Sequence, residues 1–174
     1  MTDKDAVRVL SWCCAAYPNV TLTKETVEVW ASVLADLPAN IVEKAVKRII
    51  ATQEIPALPT PGKVRHEAAA LMGVLPQSPE LAWEEVMDAV RKHGYIATPT
   101  LHNELAAKAV RSIGWRQICM SETLGVERGQ FLRIYGALAE QAGKEAILPE
   151  ELRVGALEER AQLRIAGKGF EESA

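Results

Sequence analysis

An all-α fold of two small helical modules is what this sequence predicts. Apolar residues recur at spacings of three and four, no run of four to eight residues alternates as a half-buried strand does, and proline and glycine cluster between the periodic stretches. Of 174 residues, 48% are apolar and 25% charged, a globular make-up with enough apolar surface for a core. No internal repeat of fixed period is present.

Residues 3–16 read as a first helix, with Val7, Leu10, Cys14 and Tyr17 placed on one face, and Pro18-Asn19 ends it. Thr23 is suited to cap the next helix, because its hydroxyl can accept from an exposed first-turn amide. That helix carries the stripe Val27, Trp30, Leu34 and Leu37, and Pro38 closes it and opens the third. The third, about 39–52, sets Ile41/Val42, Ala45/Val46 and Ile49/Ile50 against a polar strip of Glu43, Lys44, Lys47 and Arg48. Prolines at 56, 59 and 61 make 55–62 a rigid loop, since each lacks an N–H and restricts its predecessor. Thr60 as cap and Pro61 in the first turn then start a fourth helix, to about Met72.

Gly73 to Pro79 holds a glycine, two prolines and the capping residue Ser78, and is the expected hinge. A helix over 79–92 follows, with Trp83, Val86, Met87 and Val90 inward and Gly94 as its stop. The next, about 99–113, lies on Leu101, Leu105, Ala109 and Ile113, with Gly114 ending it. A short helix at Trp115–Met120 and a longer one at about 126–142, on Phe131, Tyr135, Leu138 and Ala142, complete the module, with Gly143 as the expected C′ residue. The expected division is 1–72, a linker at 73–79, a second module at 80–147, and a C-terminal segment at 148–174. That last segment reads either as one more helix through Leu152, Leu157 and Leu163 or as a flexible tail.

Net charge is −3, divided as 0 over 1–75, −1 over 76–147 and −2 over 148–174 by counting Lys, Arg, Asp and Glu. No segment is basic overall, so a DNA contact would have to be weak, indirect or confined to a local patch. Three cysteines, Cys13, Cys14 and Cys119, offer neither metal spacing nor a disulfide framework and read as small apolar residues of a reducing compartment. The acidic start Asp3-Lys4-Asp5 is unlike a secretory signal, no apolar stretch spans a bilayer, and a cytoplasmic location is expected. The sequon at Asn19 is read as accidental.

Incomplete motifs argue against catalysis and bound cofactors. Gly62-Lys63 approaches a phosphate loop, but Ala57 stands where a glycine is needed and Val64 where the magnesium-binding hydroxyl belongs. His66-Glu67 opens a zinc-protease pattern whose second histidine position holds Ala70. His102-Asn103-Glu104 starts a deaminase-like pattern with no following Pro-Cys-x-x-Cys. His93 suits the negative end of a helix dipole, and Glu84, Glu85 and Asp88 a solvated helix face. The expectation is a protein without an active site, metal or cofactor, which works by binding other macromolecules.

The first 72 residues resemble the phage family of replicative-helicase loader/inhibitor proteins. The likeness rests on Ala16-Tyr17-Pro18, Thr26-Val27-Glu28 before Trp30, Leu34, Asp36-Leu37-Pro38, Val42, Ala45-Val46 and Ile49-Ile50. It ends on the proline-rich loop and the helix start Pro61-Gly62-Lys63-Val64-Arg65. The second half, through Ala82-Trp83, Gly94-Tyr95, Gly114-Trp115, Ile118-Cys119 and Gln130-Phe131 with Tyr135, is less distinctly similar to segments of phage replication proteins. A helical second module departs from that family's less structured C-terminal region.

The resemblance implies binding to the ring-shaped replicative helicase in the bacterial host cell, restraint of its ATPase, and its delivery to an initiator-marked origin. It also implies a helicase contact in the C-terminal part, which points to Leu152, Arg153, Leu157, Arg160, Leu163 and Arg164. On the N-terminal module Lys44, Lys47, Arg48 and Arg65 are the exposed candidates for partner binding. All of these read equally as a terminal helix packed on its own protein or a solvated polar face. Two other functions stay open: a DNA-binding replication or regulatory protein, and a phage structural or packaging adaptor.

Overall fold

The computed structural model describes residues 1–17, 19–55, 57–96 and 98–154. All regular structure among them is helical: α1 (Asp3–Ala16), α2 (Lys24–Val33), α3 (Ala39–Thr52), α4 (Pro61–Leu71), α5 (Pro79–His93), α6 (Glu104–Ile113), α7 (Trp115–Met120) and α8 (Leu124–Ile147). A single 3-10 turn follows at Glu150–Leu152. None of these helices is long and apolar enough to cross a membrane. Two compact units divide the chain, one of residues 1–74 with the segment from Glu145 onward, the other Leu75–Lys144.

Local chemistry sets the helix starts. Thr2, Thr23, Thr60 and Ser78 each accept a backbone N–H three residues on, which satisfies a donor that no helical carbonyl reaches. Pro61 and Pro79 stand just inside their helices, where a missing N–H costs nothing. Gly94 and Gly114, at φ +61° and +104°, end α5 and α6 in a backbone region that a side chain strains.

The first core gathers Val9, Leu10 and Cys13 of α1, Trp30 of α2, Val42, Ala45, Val46 and Ile49 of α3, and Val64 and Ala68 of α4. Leu34 and Leu37 join it from the α2–α3 connection. The second packs Trp83 and Val86 of α5 against Ala106, Ala109 and Val110 of α6, Trp115 and Ile118 of α7, and Phe131 and Tyr135 of α8. Trp83, Phe131 and Tyr135 meet with ring centroids 5.1 and 5.6 Å apart. The Tyr135 hydroxyl donates to the Gln77 carbonyl at 3.1 Å and accepts from Asn103 Nδ2 at 3.0 Å, so its polar end is satisfied inside the core.

Four sequence expectations are corrected. α1 turns Ala6, Val9, Leu10 and Cys13 inward and leaves Val7 46% exposed and Cys14 half-buried. The sets 7-10-14-17 and 6-10-13-17 share both spacing and two members, and small Ala6 and Cys13 gave the second too little weight. α2 stops at Val33, with Leu34 and Leu37 buried beyond its end. α6 starts at Glu104, because Asn103 Oδ1 accepts from Leu105 and Ala106 N–H and so fixes the first turn there. α8 runs through Gly143 to Ile147; a Cβ at 143 would lie 3.9 Å from Pro76 Cδ, so this glycine sits beside a packed neighbour inside the helix.

Candidate functional site

α1 and α3 lie together in the first unit, and their outer faces enclose an open groove of about 580 Å³ lined by Ser11, Trp12, Ala15, Ala16, Lys47, Ile50 and Ala51. The sequence makes it directly. While Cys13 and Ile49 point into the core, Trp12 turns away from it, Ile50 packs against its edge with part of its surface left to the groove, and the alanines at 15, 16 and 51 are too small to fill the space between helices. Trp12 is left 39% exposed, and Lys47 Nζ stands 3.8 Å from its ring centroid. That distance is a cation–π contact.

Charge around the groove is organised by Glu43, which accepts from Lys47 Nζ at 2.8 Å and lies 3.9 Å from Arg8; Arg8 is 3.4 Å from Asp5. The hydrogen bond from Lys47 holds the Glu43 carboxyl below its ordinary range, with the Lys47 and Arg8 charges adding to it. Asp5 is lowered mainly by its hydrogen bonds with Thr2. A tryptophan wall, an alanine floor and one tethered ammonium suit an apolar partner surface that carries an occasional acid.

The residues proposed from sequence are only partly brought together. Lys47 lines the groove, and Lys44 is exposed elsewhere on α3. Arg48 reaches α4, where its Nε lies 2.8 Å from Glu67 Oε1 at an angle that makes no hydrogen bond. Leu152 is 51% exposed in the 3-10 turn. Arg153 donates to the Leu148 carbonyl at 3.2 Å and, more weakly, to that of Ala146 at 3.5 Å, so it folds back on its own segment. Leu157, Arg160, Leu163 and Arg164 lie outside the described residues, as does the helical stripe expected through Leu157 and Leu163.

Arg65 corrects an expectation: it is 3% exposed and structural. Its Nη1 donates to Asp36 Oδ1 at 2.5 Å and the Val33 carbonyl at 2.7 Å, and its Nη2 to Asp36 Oδ2 at 2.9 Å and the Leu148 carbonyl at 2.8 Å. Nε donates to the Ile147 carbonyl. All five guanidinium donors are therefore used, which is why a charged side chain can sit at this depth. The Arg65 hydrogen bonds hold the Asp36 carboxyl below its ordinary range, against a smaller opposing effect of burial.

Cys13 is buried, and desolvation, with Cys14 beside it, pushes its thiol up to about 11. It stays protonated near neutral pH and is a poor nucleophile. Burial raises the Cys119 thiol as well. Among the described residues no three His, Cys, Asp or Glu side chains stand close enough to share a metal.

Trp12, Ala15 and Ile50 were missed by sequence reasoning. The available signal was Trp12 itself, a large aromatic off the inward stripe of its helix.

Residues 1–65 match the family model of the gp39P N-terminal domain, from the phage helicase loader/inhibitors. This is the family that the motifs between Ala16 and Arg65 resemble. No curated protein and no solved structure matches the chain.

Proposed function

We propose, on the match over residues 1–65, that this chain is a phage-type DNA replication accessory protein. It binds the replicative hexameric helicase, restrains its ATPase and helps load it at an initiator-marked origin in the host cytoplasm. It has no active site of its own. The family match carries this reading; the α1–α3 groove supports it by offering an apolar surface on the matched part of the chain.

The mechanism is linkage. A loader that hydrolyses nothing holds one helicase state only by its difference in affinity between states, and a switch from 1:99 to 99:1 needs a ratio of about 10⁴. Release follows when initiator or DNA stabilises another state. In this reading Trp12 is the anchor in the helicase contact, since a tryptophan with one face open is the residue type that dominates interface energies.

The test mixes the purified chain with its cognate hexameric helicase and ATP. Co-elution and a lowered ATPase rate are expected. Trp12→Ala should weaken association by about 30-fold or more, the effect of losing an anchor worth 2 kcal/mol. Absence of both co-elution and a changed ATPase rate would remove the hypothesis, and an unaffected Trp12→Ala complex would move the contact away from the groove.

A further inference from the structure

The second unit collects positive charge and an open aromatic ring at one end. α5 and α6 run side by side in the same direction. Glu85 Oε1, midway along α5, accepts from the backbone N–H of His102 and Asn103 at the start of α6. At their other ends the Gly94 carbonyl accepts from Trp115 Nε1 at 3.0 Å and lies 3.5 Å from Cys119 Sγ. The C-termini of both helices and the face of α7 therefore meet there.

Arg91 and Lys92 close α5, Arg111 closes α6, and Arg116 lies on α7, its Nε 3.4 Å from Met120 Sδ. All four are exposed. Stretches 88–96 and 111–120 hold these four cations and a single acid, Asp88, which pairs with Arg91, in a chain whose net charge is −3. The buried Glu127 of α8 also reaches the end of α7, where it accepts from Ser121 Oγ at 2.7 Å. The nearest acid beyond them in sequence is Glu122, past the end of α7.

The negative ends of two helix dipoles account for some of this charge. They do not account for Tyr95 and Ile96, which stand 57% and 86% exposed on the turn made by Gly94. We infer that this end of the second unit binds single-stranded nucleic acid, with Tyr95 stacking on a base and Lys92, Arg111 and Arg116 neutralising phosphates. Duplex fits less well, because its base faces are already covered and Tyr95 would find none to stack on. An acidic protein segment would meet the same cations but would not need the flat aromatic ring. The inference concerns surfaces outside the matched residues and does not rest on the helicase reading.

Fluorescence anisotropy of the full chain with labelled oligothymidylate of about 16 nucleotides tests it. Binding should tighten as salt falls, with a dissociation constant below about 100 µM, and exceed that of a duplex of equal length. Tyr95→Phe should keep the affinity, whereas Tyr95→Ala should lose about tenfold, since stacking on one base is worth roughly that much. Lys92→Gln combined with Arg116→Gln should reduce the slope of log affinity against log salt by about 1.4, two phosphates' worth for a single strand. Circular dichroism melts confirm that each exposed substitution leaves the fold intact. No binding, equal affinity for duplex, an unchanged Tyr95→Ala, or equal displacement by polyglutamate at matched charge would each overturn the inference.

Discussion

Replacing Asp36 by Ala separates the buried charge at Arg65 from its counter-ion while leaving the arginine in place. In the native chain two of the guanidinium's five bonds go to that carboxylate and three to the carbonyls of Val33, Ile147 and Leu148. After the substitution those carbonyls remain, but the charge has no opposite neighbour at 3% exposure. Breaking a buried pair costs about 3–5 kcal/mol, and an exposed pair is worth less than about 1. The Asp36 side chain keeps 21% of its exposure, so water can reach the vacated position and the expected cost is about 2–3 kcal/mol. Native-state amide exchange, helix by helix, reads this without assuming that both units unfold together. Amides of α2 to α4 should exchange about 30- to 150-fold faster, while those of α5 to α7 stay unchanged. An acceleration below about threefold in α2 to α4 would refute the view that this pair holds the first unit.

The same pair predicts a pH dependence. Because Arg65 lowers the Asp36 carboxyl from 3.8, the pair's contribution is complete above that value and is lost as pH falls through the depressed one. Protection of α4 in the native chain should therefore fall away below about pH 4 more steeply than in Asp36→Ala. Trp30, 2% exposed in the first core, should cost about 3–5 kcal/mol as Trp30→Ala, read as accelerated exchange in α1 to α4. Asn103→Ala removes the α6 cap and the donor to the Tyr135 hydroxyl; a loss of about 1–2 kcal/mol should appear in α6 amides. Gly114→Ala forces a side chain to φ +104° and should cost about 1–3 kcal/mol, measured in α6 and α7.

What the sequence made legible was local. Thr23, Thr60-Pro61 and Ser78-Pro79 announce helix starts because the capping hydroxyl acts within three residues, and Gly94 and Gly114 announce ends because a positive φ is needed there. Asn103 carries equally local information, yet the apolar spacing that begins at Leu101 puts the start at about 99, five residues before the helix that forms. The groove was not legible, because Trp12 gains meaning only when α3 brings Lys47 and Ile50 beside it. Arg65 is the clearest case. As an arginine it reads from the sequence as one more exposed cation, and the carboxylate that pairs with it in the interior lies 29 residues away in sequence. Both residues belong to the motifs that carry the family resemblance, and the structure brings those two motifs into contact.

The far partners of Arg65 have a consequence for where the first unit ends. The family match stops at residue 65, but two of that residue's five acceptors lie 82 and 83 positions on, at Ile147 and Leu148. A chain cut after Val74 would keep every helix from α1 to α4 and the Asp36 pair, yet leave Nε and one Nη2 proton without their carbonyls. Each bond from a charged donor is worth about 1.5–3 kcal/mol, and water entering at the cut recovers a large part, so the expected loss for both is about 1–3 kcal/mol. Amide exchange should then show α4 and the end of α2 weakened in the 1–74 fragment relative to the full chain, with α1 least affected. Equal protection in fragment and full chain would mean that water replaces both carbonyls at no cost, and residues 145–154 would be passengers on this unit. Reduced protection in α4 would instead make them part of the first unit, placed beyond the second in sequence by the path of α8.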